Sequence, residues 1–198
     1  MNESLRAELL TMAQEDRRKR TELATDGSLF EAYHPGMQEV HERNARRLEE
    51  IIAQHGWPGR TAVGEDGGEA AWLIVQHAIG MPTFQRRCLE LLQAAASDGD
   101  APPWQPAYLL DRIRVLEGKP QVYGTQFDMD ESDEMSPCAT QDAVGLNARR
   151  ASIGLDSIEE RIQKMRAQAK VESETPPSDR ADHQRKYQEW LKRVGWRE

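Results

Sequence analysis

Residues 69–92 read EAAWLIVQHAIGMPTFQRRCLELL, and this stretch decides the class of fold. Its first part, Glu69–Ile79, is almost entirely apolar apart from Gln76 and His77, which predicts a short and largely buried helix. Pro82 then suits the first position of a new helix, and apolar side chains follow it at helical spacing. Two consecutive apolar helices indicate a helical core.

Apolar residues at helical spacing continue in both directions from this pair of helices. Further helices are predicted at residues 2–23, 37–54, 108–116, 141–151, 157–170 and 181–196. A Gly-rich loop is predicted at Val63–Gly68. Strand structure is predicted at Gln121–Phe127, which an acidic loop separates from residues 135–140. The predicted fold is mainly α: a compact multi-helix bundle with one small irregular β-hairpin and a C-terminal helical tail.

The length of the chain suits one domain followed by a tail. Its 198 residues are enough to bury a core, which we place at residues 1–156. The C-terminal helices at 157–198 contain a polar, Pro-containing linker at 171–180. The last helix carries an apolar stripe that must pack on the main body, on a second copy or on a partner. This stripe consists of Tyr187, Trp190, Leu191 and Val194.

The composition excludes several classes of function. A formal net charge of -8 argues against nucleic acid as a partner, because neutralising phosphates needs a surplus of Lys and Arg. No apolar run approaches the length of a membrane span, and Met1–Arg20 lacks the apolar region of a secretory signal. Two cysteines, Cys88 and Cys138, are too few for a disulfide framework. These features predict a cytoplasmic protein without a membrane or nucleic-acid partner.

His77 is the most suggestive single residue of the chain. On its helix it shares a face with Ala70, Leu73 and Ile74, so it points toward the core. A histidine in this position is either a satisfied structural group or a general acid or base tuned by its surroundings. Gln76 lies about 100° further round the helix and is a candidate for substrate binding.

Arg112 lies one turn beyond Tyr108 on a mostly apolar helix. An arginine in such a setting is usually paired with a carboxylate, or it holds an anionic ligand through its planar fork of donors. Both interpretations stay open for Arg112. Asp111 is a candidate to hold Arg112 or His77 in place and so to take part in catalysis.

The stretch from Tyr123 to Gln126 has the densest cluster of neutral hydrogen-bonding side chains. Tyr123 can donate or accept a proton, and Gln121, Thr125 and Gln126 can bind a polar substrate or orient a water. Strand composition would explain Tyr123 and Thr125, but not the two glutamines together. Gly124 is a candidate for a bulge that redirects these side chains.

Metal and nucleotide motifs are absent from the sequence. The pair His41-Glu42 lacks the second histidine of the zincin spacing, and the acidic loop Asp128–Glu134 departs from the EF-hand order. There is no P-loop, no Rossmann glycine pattern and no Gly-x-Ser-x-Gly elbow. We therefore predict no metal and no cofactor. A metalloenzyme built from His34, His41 or His77 with carboxylates is a third and less favoured class.

The chain combines five short motifs that are each weak alone. They are Gly56-Trp57-Pro58, Trp72-Leu73 with Gln76-His77, Ala107-Tyr108-Leu109 with Asp111-Arg112, Tyr123-Gly124-Thr125-Gln126, and Arg149-Arg150 with Gly154-Leu155. Together they resemble a bacterial family catalogued only as a domain of unknown function. The resemblance spans about Leu5 to Leu155 and leaves out the tail. It implies no activity, but it implies that the family repeats the polar groups singled out above.

These residues predict an enzyme that acts without a metal on a small polar or anionic molecule. His77 is its expected general acid or base, Arg112 the anion-binding group, and Tyr123 and Gln126 the groups that orient the substrate or a water. Hydrolysis, elimination and cyclisation all fit such a site. The competing hypothesis is a non-catalytic ligand-binding or protein-interaction module. In that module the same side chains form a buried network, and the C-terminal helix contacts a partner or a second copy.

Overall fold

The computed structural model describes residues 1–25, 33–171 and 179–198. The helices in these ranges are α1 (Glu3–Thr25), α2 (Pro35–His55), α3 (Arg60–His77), α4 (Pro82–Ser97), α5 (Trp104–Leu116), α6 (Leu146–Ser152), α7 (Ile158–Val171) and α8 (Arg180–Val194). The strands are β1 (Phe127–Met129) and β2 (Met135–Pro137), which pair antiparallel. The mainly helical fold with a small hairpin and a C-terminal helix is therefore confirmed. No helix among the described residues is long and apolar enough to span a membrane.

The chain divides into two compact units, Met1–Gln105 and Pro106–Glu198. A division after residue 156 stays a prediction, and α6 and α7, which lie on either side of that position, contact each other. Most of the predicted linker, residues 172–178, lies outside the described residues.

The first unit packs α1 against both α2 and α3, and α4 against α3. The inward face of α1 carries Leu5, Leu9 and Met12, all buried, and Asp16 follows one turn later on the same face. The inward face of α2 similarly places His41 between Met37 and Leu48. Helical spacing thus turns a carboxylate and an imidazole toward the apolar interior.

The predicted Gly-rich loop at Val63–Gly68 is wrong, because α3 begins at Arg60 and runs through it. Only Gly64 leaves helical geometry, with φ of 77°, so the loop is reduced to a kink. The helix starts early because Asp100 caps it: its Oδ1 accepts hydrogen bonds from Thr61 N at 2.7 Å and from Thr61 Oγ1 at 2.5 Å. Gly67 is buried, and a Cβ there would lie 2.9 Å from the Val63 side chain.

In the second unit the first strand of the hairpin lies later in the sequence than predicted, whereas the second lies within the predicted 135–140. Residues 121–126, the main part of the predicted strand, form an irregular loop, and β1 begins only at Phe127. Gln121 keeps a single bridge to Thr140. The loop is irregular because its backbone N–H groups donate to the Asp111 carboxylate instead of to a neighbouring strand.

The C-terminal helices follow the prediction closely. Ser157 and Glu160 form the predicted capping box of α7, with Ser157 N donating to Glu160 Oε2 at 3.0 Å and Glu160 N to Ser157 Oγ at 3.3 Å. The apolar stripe of α8 packs within the chain, where Trp190 and Leu191 are buried. Self-association or partner binding through this helix stays a prediction.

Candidate functional site

Three helices of the first unit bring Asp16, His41 and His77 together. Asp16 comes from the middle of α1, His41 from the second turn of α2, and His77 from the last position of α3. Residues far apart in sequence meet because α1 packs against both other helices. We call these three residues the Asp–His–His cluster.

The Asp16 carboxylate is the centre of the cluster. Its Oδ2 lies 2.8 Å from His77 Nδ1 and 3.1 Å from His41 Nε2. The two imidazole rings have centroids 5.0 Å apart. One carboxylate oxygen and one ring nitrogen from each histidine all lie within 4.8 Å of one another.

The three side chains differ in exposure. Those of Asp16 and His41 are 2% and 9% exposed, whereas that of His77 is 26% exposed. His77 is therefore the member of the cluster that solvent reaches. A small molecule that approaches the cluster meets His77 first.

Tyr33 contacts the cluster on its buried side. Its Oη lies 2.8 Å from His41 Nδ1, and its ring stacks on that of His41 with centroids 5.7 Å apart. Burial, reinforced by the negative charges of Glu42 and Asp16, raises the pKa of Tyr33 well above its ordinary value. The phenol therefore stays protonated at neutral pH.

The electrostatics of the cluster fix its hydrogen-bond directions. Burial raises the pKa of the Asp16 carboxyl, but the contacts and charges of His41 and His77 outweigh burial, and the net pKa falls well below its ordinary value. Asp16 is therefore an ionised acceptor at neutral pH, so His77 Nδ1 donates to its Oδ2. In neutral His77 the basic lone pair is then on Nε2.

Gln76, predicted to bind substrate, precedes His77 on α3 and is buried. Its backbone carbonyl accepts a hydrogen bond from Gln85 Nε2 at 3.2 Å, and the same amide donates to Val75 O at 2.6 Å. Gln85 thus secures the C-terminal end of α3, where His77 lies. A substrate-binding role for Gln76 stays a prediction.

The second unit contains the other six predicted residues, and Asp111 bonds directly to two of them, Tyr123 and Thr125. Its carboxylate is fully buried and accepts hydrogen bonds from Val122 N at 2.7 Å, Tyr123 N at 3.0 Å and Thr125 N at 3.1 Å. Thr125 Oγ1 also donates to it at 3.0 Å. The contacts of Asp111 favour a role in shaping this loop, and a catalytic role stays a prediction.

The predicted glutamines complete the same loop. Gln121 Nε2 donates to Gln126 O at 3.0 Å and to Cys138 O at 2.8 Å, and its Oε1 accepts from Gln126 N at 2.8 Å. Gln126 Nε2 donates to Thr125 Oγ1 at 3.0 Å. Gln121 is fully buried, whereas Gln126 is half-buried and accessible to a ligand.

Arg150 and Arg112 differ in their surroundings. Arg150, which was not singled out for chemistry, is fully buried and donates to Tyr123 O at 2.7 Å and Gly124 O at 3.1 Å. Arg112 is the predicted anion-binding residue, and burial lowers the pKa of its guanidinium, partly offset by Tyr187. The predicted anion-binding role of Arg112 stays a prediction.

An open cleft of about 490 Å³ also lies in the first unit, away from the cluster residues. Its lining includes Trp57, Arg60, Glu65, Glu69 and Trp104. A concave cleft of this kind is a common place for a ligand site. We favour the Asp–His–His cluster instead, because it combines burial, a shifted pKa and groups that transfer protons or bind metals.

Sequence reasoning found His77 but not its principal partner. Asp16 is easily missed in the sequence, because it follows an acidic residue and precedes a run of basic residues. A charged residue in such a stretch usually faces solvent. A signal was present, since Asp16 continues the spacing of Leu5, Leu9 and Met12 on the buried face. His41 was considered only as a metal ligand, and Tyr33 was not considered.

The fold and the cluster define a mainly helical protein with a carboxylate and two imidazoles gathered in the interior of its first unit. A model of the Family of unknown function (DUF6624) matches residues 3–171, and the chain belongs to that family. The match includes α7 and so extends beyond residue 155, where the motif resemblance ended. No curated protein matches the chain, and no solved structure matches it.

Proposed function

We propose that this protein is an enzyme that acts by acid and base chemistry on a small polar or anionic molecule at the Asp–His–His cluster. The observation that carries the proposal is the 2.8 Å contact between Asp16 Oδ2 and His77 Nδ1. A buried carboxylate that accepts from Nδ1 fixes the tautomer of the imidazole and stabilises the imidazolium that forms when Nε2 takes a proton.

Each residue of the cluster has a role in this proposal. His77, the exposed member, exchanges a proton with the substrate through Nε2. Asp16 orients His77 and supports its positive charge, His41 lies beside Asp16 on the buried side, and Tyr33 contacts His41. Hydrolysis, elimination and cyclisation each need one such proton transfer, so all three stay within the proposal. The predicted substrate-binding roles of Arg112, Tyr123 and Gln126 are additional proposals.

The test is consumption of a metabolite. The full chain, treated with a chelator, is incubated with an extract of polar metabolites, and mass spectrometry follows every compound over time. We expect at least one polar compound to be consumed by the wild type and by His55→Gln, an exposed histidine of α2 outside the cluster. His77→Gln is expected to be slower by about 10²–10⁴-fold, the usual contribution of a general acid or base.

Asp16→Asn separates the role of the carboxylate from that of His77. The amide keeps the shape of the carboxylate but cannot balance an imidazolium, so turnover falls while His77 stays in place. If no compound distinguishes the wild type from His77→Gln while both are folded, the proposed function is wrong. The cluster then belongs to the buried network of a non-catalytic module.

A further inference from the structure

Two polar atoms of the Asp–His–His cluster make no hydrogen bond to any described residue. Asp16 Oδ1 is buried without a donor, and His41 Nε2, although 3.1 Å from Asp16 Oδ2, is not aligned to donate to it. An unsatisfied buried polar group costs about 1–3 kcal/mol, so both atoms favour an additional binding partner. Carboxylate oxygen and imidazole nitrogen share one such partner, a divalent transition-metal ion.

We infer that the cluster binds a divalent transition-metal ion such as Zn²⁺ through the Asp16 carboxylate, His41 Nε2 and His77 Nδ1. Two imidazoles and one carboxylate form a ligand set found in zinc sites, and three protein ligands leave a further position for water or substrate. This further position would be accessible from solvent, because His77 is the exposed member of the cluster.

The distances in the cluster fit this inference. Bonds of about 2.0–2.1 Å to a tetrahedral ion place neighbouring ligand atoms about 3.3 Å apart. The contacts from Asp16 Oδ2 are 2.8 Å to His77 and 3.1 Å to His41. These two contacts need to lengthen by only about 0.2–0.5 Å to admit the ion. The ligand nitrogens of His41 and His77 lie within 4.8 Å of each other.

The surroundings of His41 also suit a ligand. A metal-binding histidine almost always donates its other ring N–H to an oxygen, which fixes its orientation. His41 Nδ1 lies 2.8 Å from Tyr33 Oη. When Nε2 binds the ion, Nδ1 carries the hydrogen and donates it to Tyr33. The sequence alone led to the opposite expectation, because His41 lacks the zincin spacing.

The ion and the proposed base exclude each other. An ion on Nδ1 of neutral His77 shifts the hydrogen of that ring to Nε2, and this removes the lone pair that takes the proton of the substrate. Metal binding would therefore inhibit the acid and base chemistry proposed above. The inference uses the same residues but not the reaction, so it stands even if the proposed function fails.

The test measures binding in the absence of any substrate. The full chain is stripped with a chelator, dialysed and titrated with Co²⁺, whose visible absorption reports tetrahedral coordination, and Zn²⁺ then competes for the site. We expect one tightly bound ion per chain. His41→Gln and His77→Gln should each weaken binding by more than about tenfold, since even the loss of an orienting partner costs about that much. His55→Gln is the same substitution on α2, the helix of His41, and should bind the ion as tightly as the wild type does.

Three outcomes would overturn the inference. The first is a wild type that binds the metal ion no more tightly than His77→Gln does. The second is a loss of metal affinity in His55→Gln as large as that in the cluster variants. Thirdly, Zn²⁺ could raise the melting temperature of the wild type no more than Mg²⁺ does, a result that depends on no variant. Circular dichroism of each variant serves as the control for folding. Because turnover is assayed in chelator and metal binding without substrate, each proposal can fail separately.

Discussion

Asp111→Asn tests whether Asp111 holds the loop at residues 121–126 or takes part in catalysis. The carboxylate accepts from the backbone N–H groups of Val122, Tyr123 and Thr125 and from the Thr125 hydroxyl. An asparagine keeps one oxygen, which can still serve Val122 and Tyr123. Its amide NH₂ group then faces Thr125. The Thr125 hydroxyl can rotate to accept a hydrogen bond from this group, but the Thr125 backbone N–H can only donate and is left without an acceptor.

The variant therefore loses a charge-assisted hydrogen bond and leaves one buried donor without an acceptor. A hydrogen bond to a charged group contributes about 1.5–3 kcal/mol, and an orphaned donor costs about 1–3 kcal/mol. These two costs overlap, so we expect a loss of about 3 kcal/mol in the free energy of unfolding. At an m-value of about 2 kcal/mol/M the urea midpoint falls by about 1.5 M.

The assay is urea unfolding followed by circular dichroism, with Asp128→Asn as the matched control. Asp128 is an exposed aspartate of the same unit, so the same change in charge there should alter stability by less than about 0.5 kcal/mol. Equal midpoints for the two variants would refute the structural role of Asp111. If Asp111→Asn were as stable as the control and yet inactive, the predicted catalytic role would be correct.

Three further predictions concern the same unit and one buried thiol. Asp156→Asn should lower the free energy of unfolding by about 1–2 kcal/mol above pH 4, because it weakens the pairing of buried Arg150. The contacts of Asp156 lower its pKa despite burial, so the stability difference between wild type and variant, measured as urea midpoints, should shrink as the pH falls. Gly124→Ala should destabilise the chain more than Gly154→Ala, because both have positive φ but only Gly124 has a side chain 3.0 Å from the added Cβ; equal midpoints would contradict this. Burial raises the pKa of Cys88 to about 12, so iodoacetamide at pH 8 should label it only after unfolding, as mass spectrometry can show.

Periodicity predicted most of the helices because their stability comes from one buried face. The N- and C-terminal helices, α1 and α8, were placed within two residues of their observed ends. The Ser157 capping box was read from four residues because both of its hydrogen bonds are local. Such features depend on near neighbours, which a single sequence displays.

The errors arose where distant residues decide local structure. The loop at 121–126 has the composition of a strand, but Asp111 supplies the acceptors that a neighbouring strand would have supplied. The glycines near Gly64 suggested a loop, but the Asp100 cap starts the helix before them. Neither contact is visible in a window of sequence.

The candidate site shows the same limit. His77 was predicted because a histidine on an apolar helix face is conspicuous, but Asp16 lies 61 residues earlier in the chain. Only the packing of α1 against α3 brings the two together. Sequence therefore identified the exposed member of the cluster, and the structure identified the carboxylate that gives it a defined tautomer.

The tautomer of His77 tests whether Asp16 orients His77 for proton transfer. Nitrogen-15 NMR of the imidazole rings, recorded in chelator, reports which ring nitrogen carries the hydrogen in the neutral form. We expect hydrogen on Nδ1 of His77 in the wild type and a shift toward the Nε2–H form in Asp16→Asn. A wild-type His77 that carries its hydrogen on Nε2, unchanged in Asp16→Asn, would contradict this expectation.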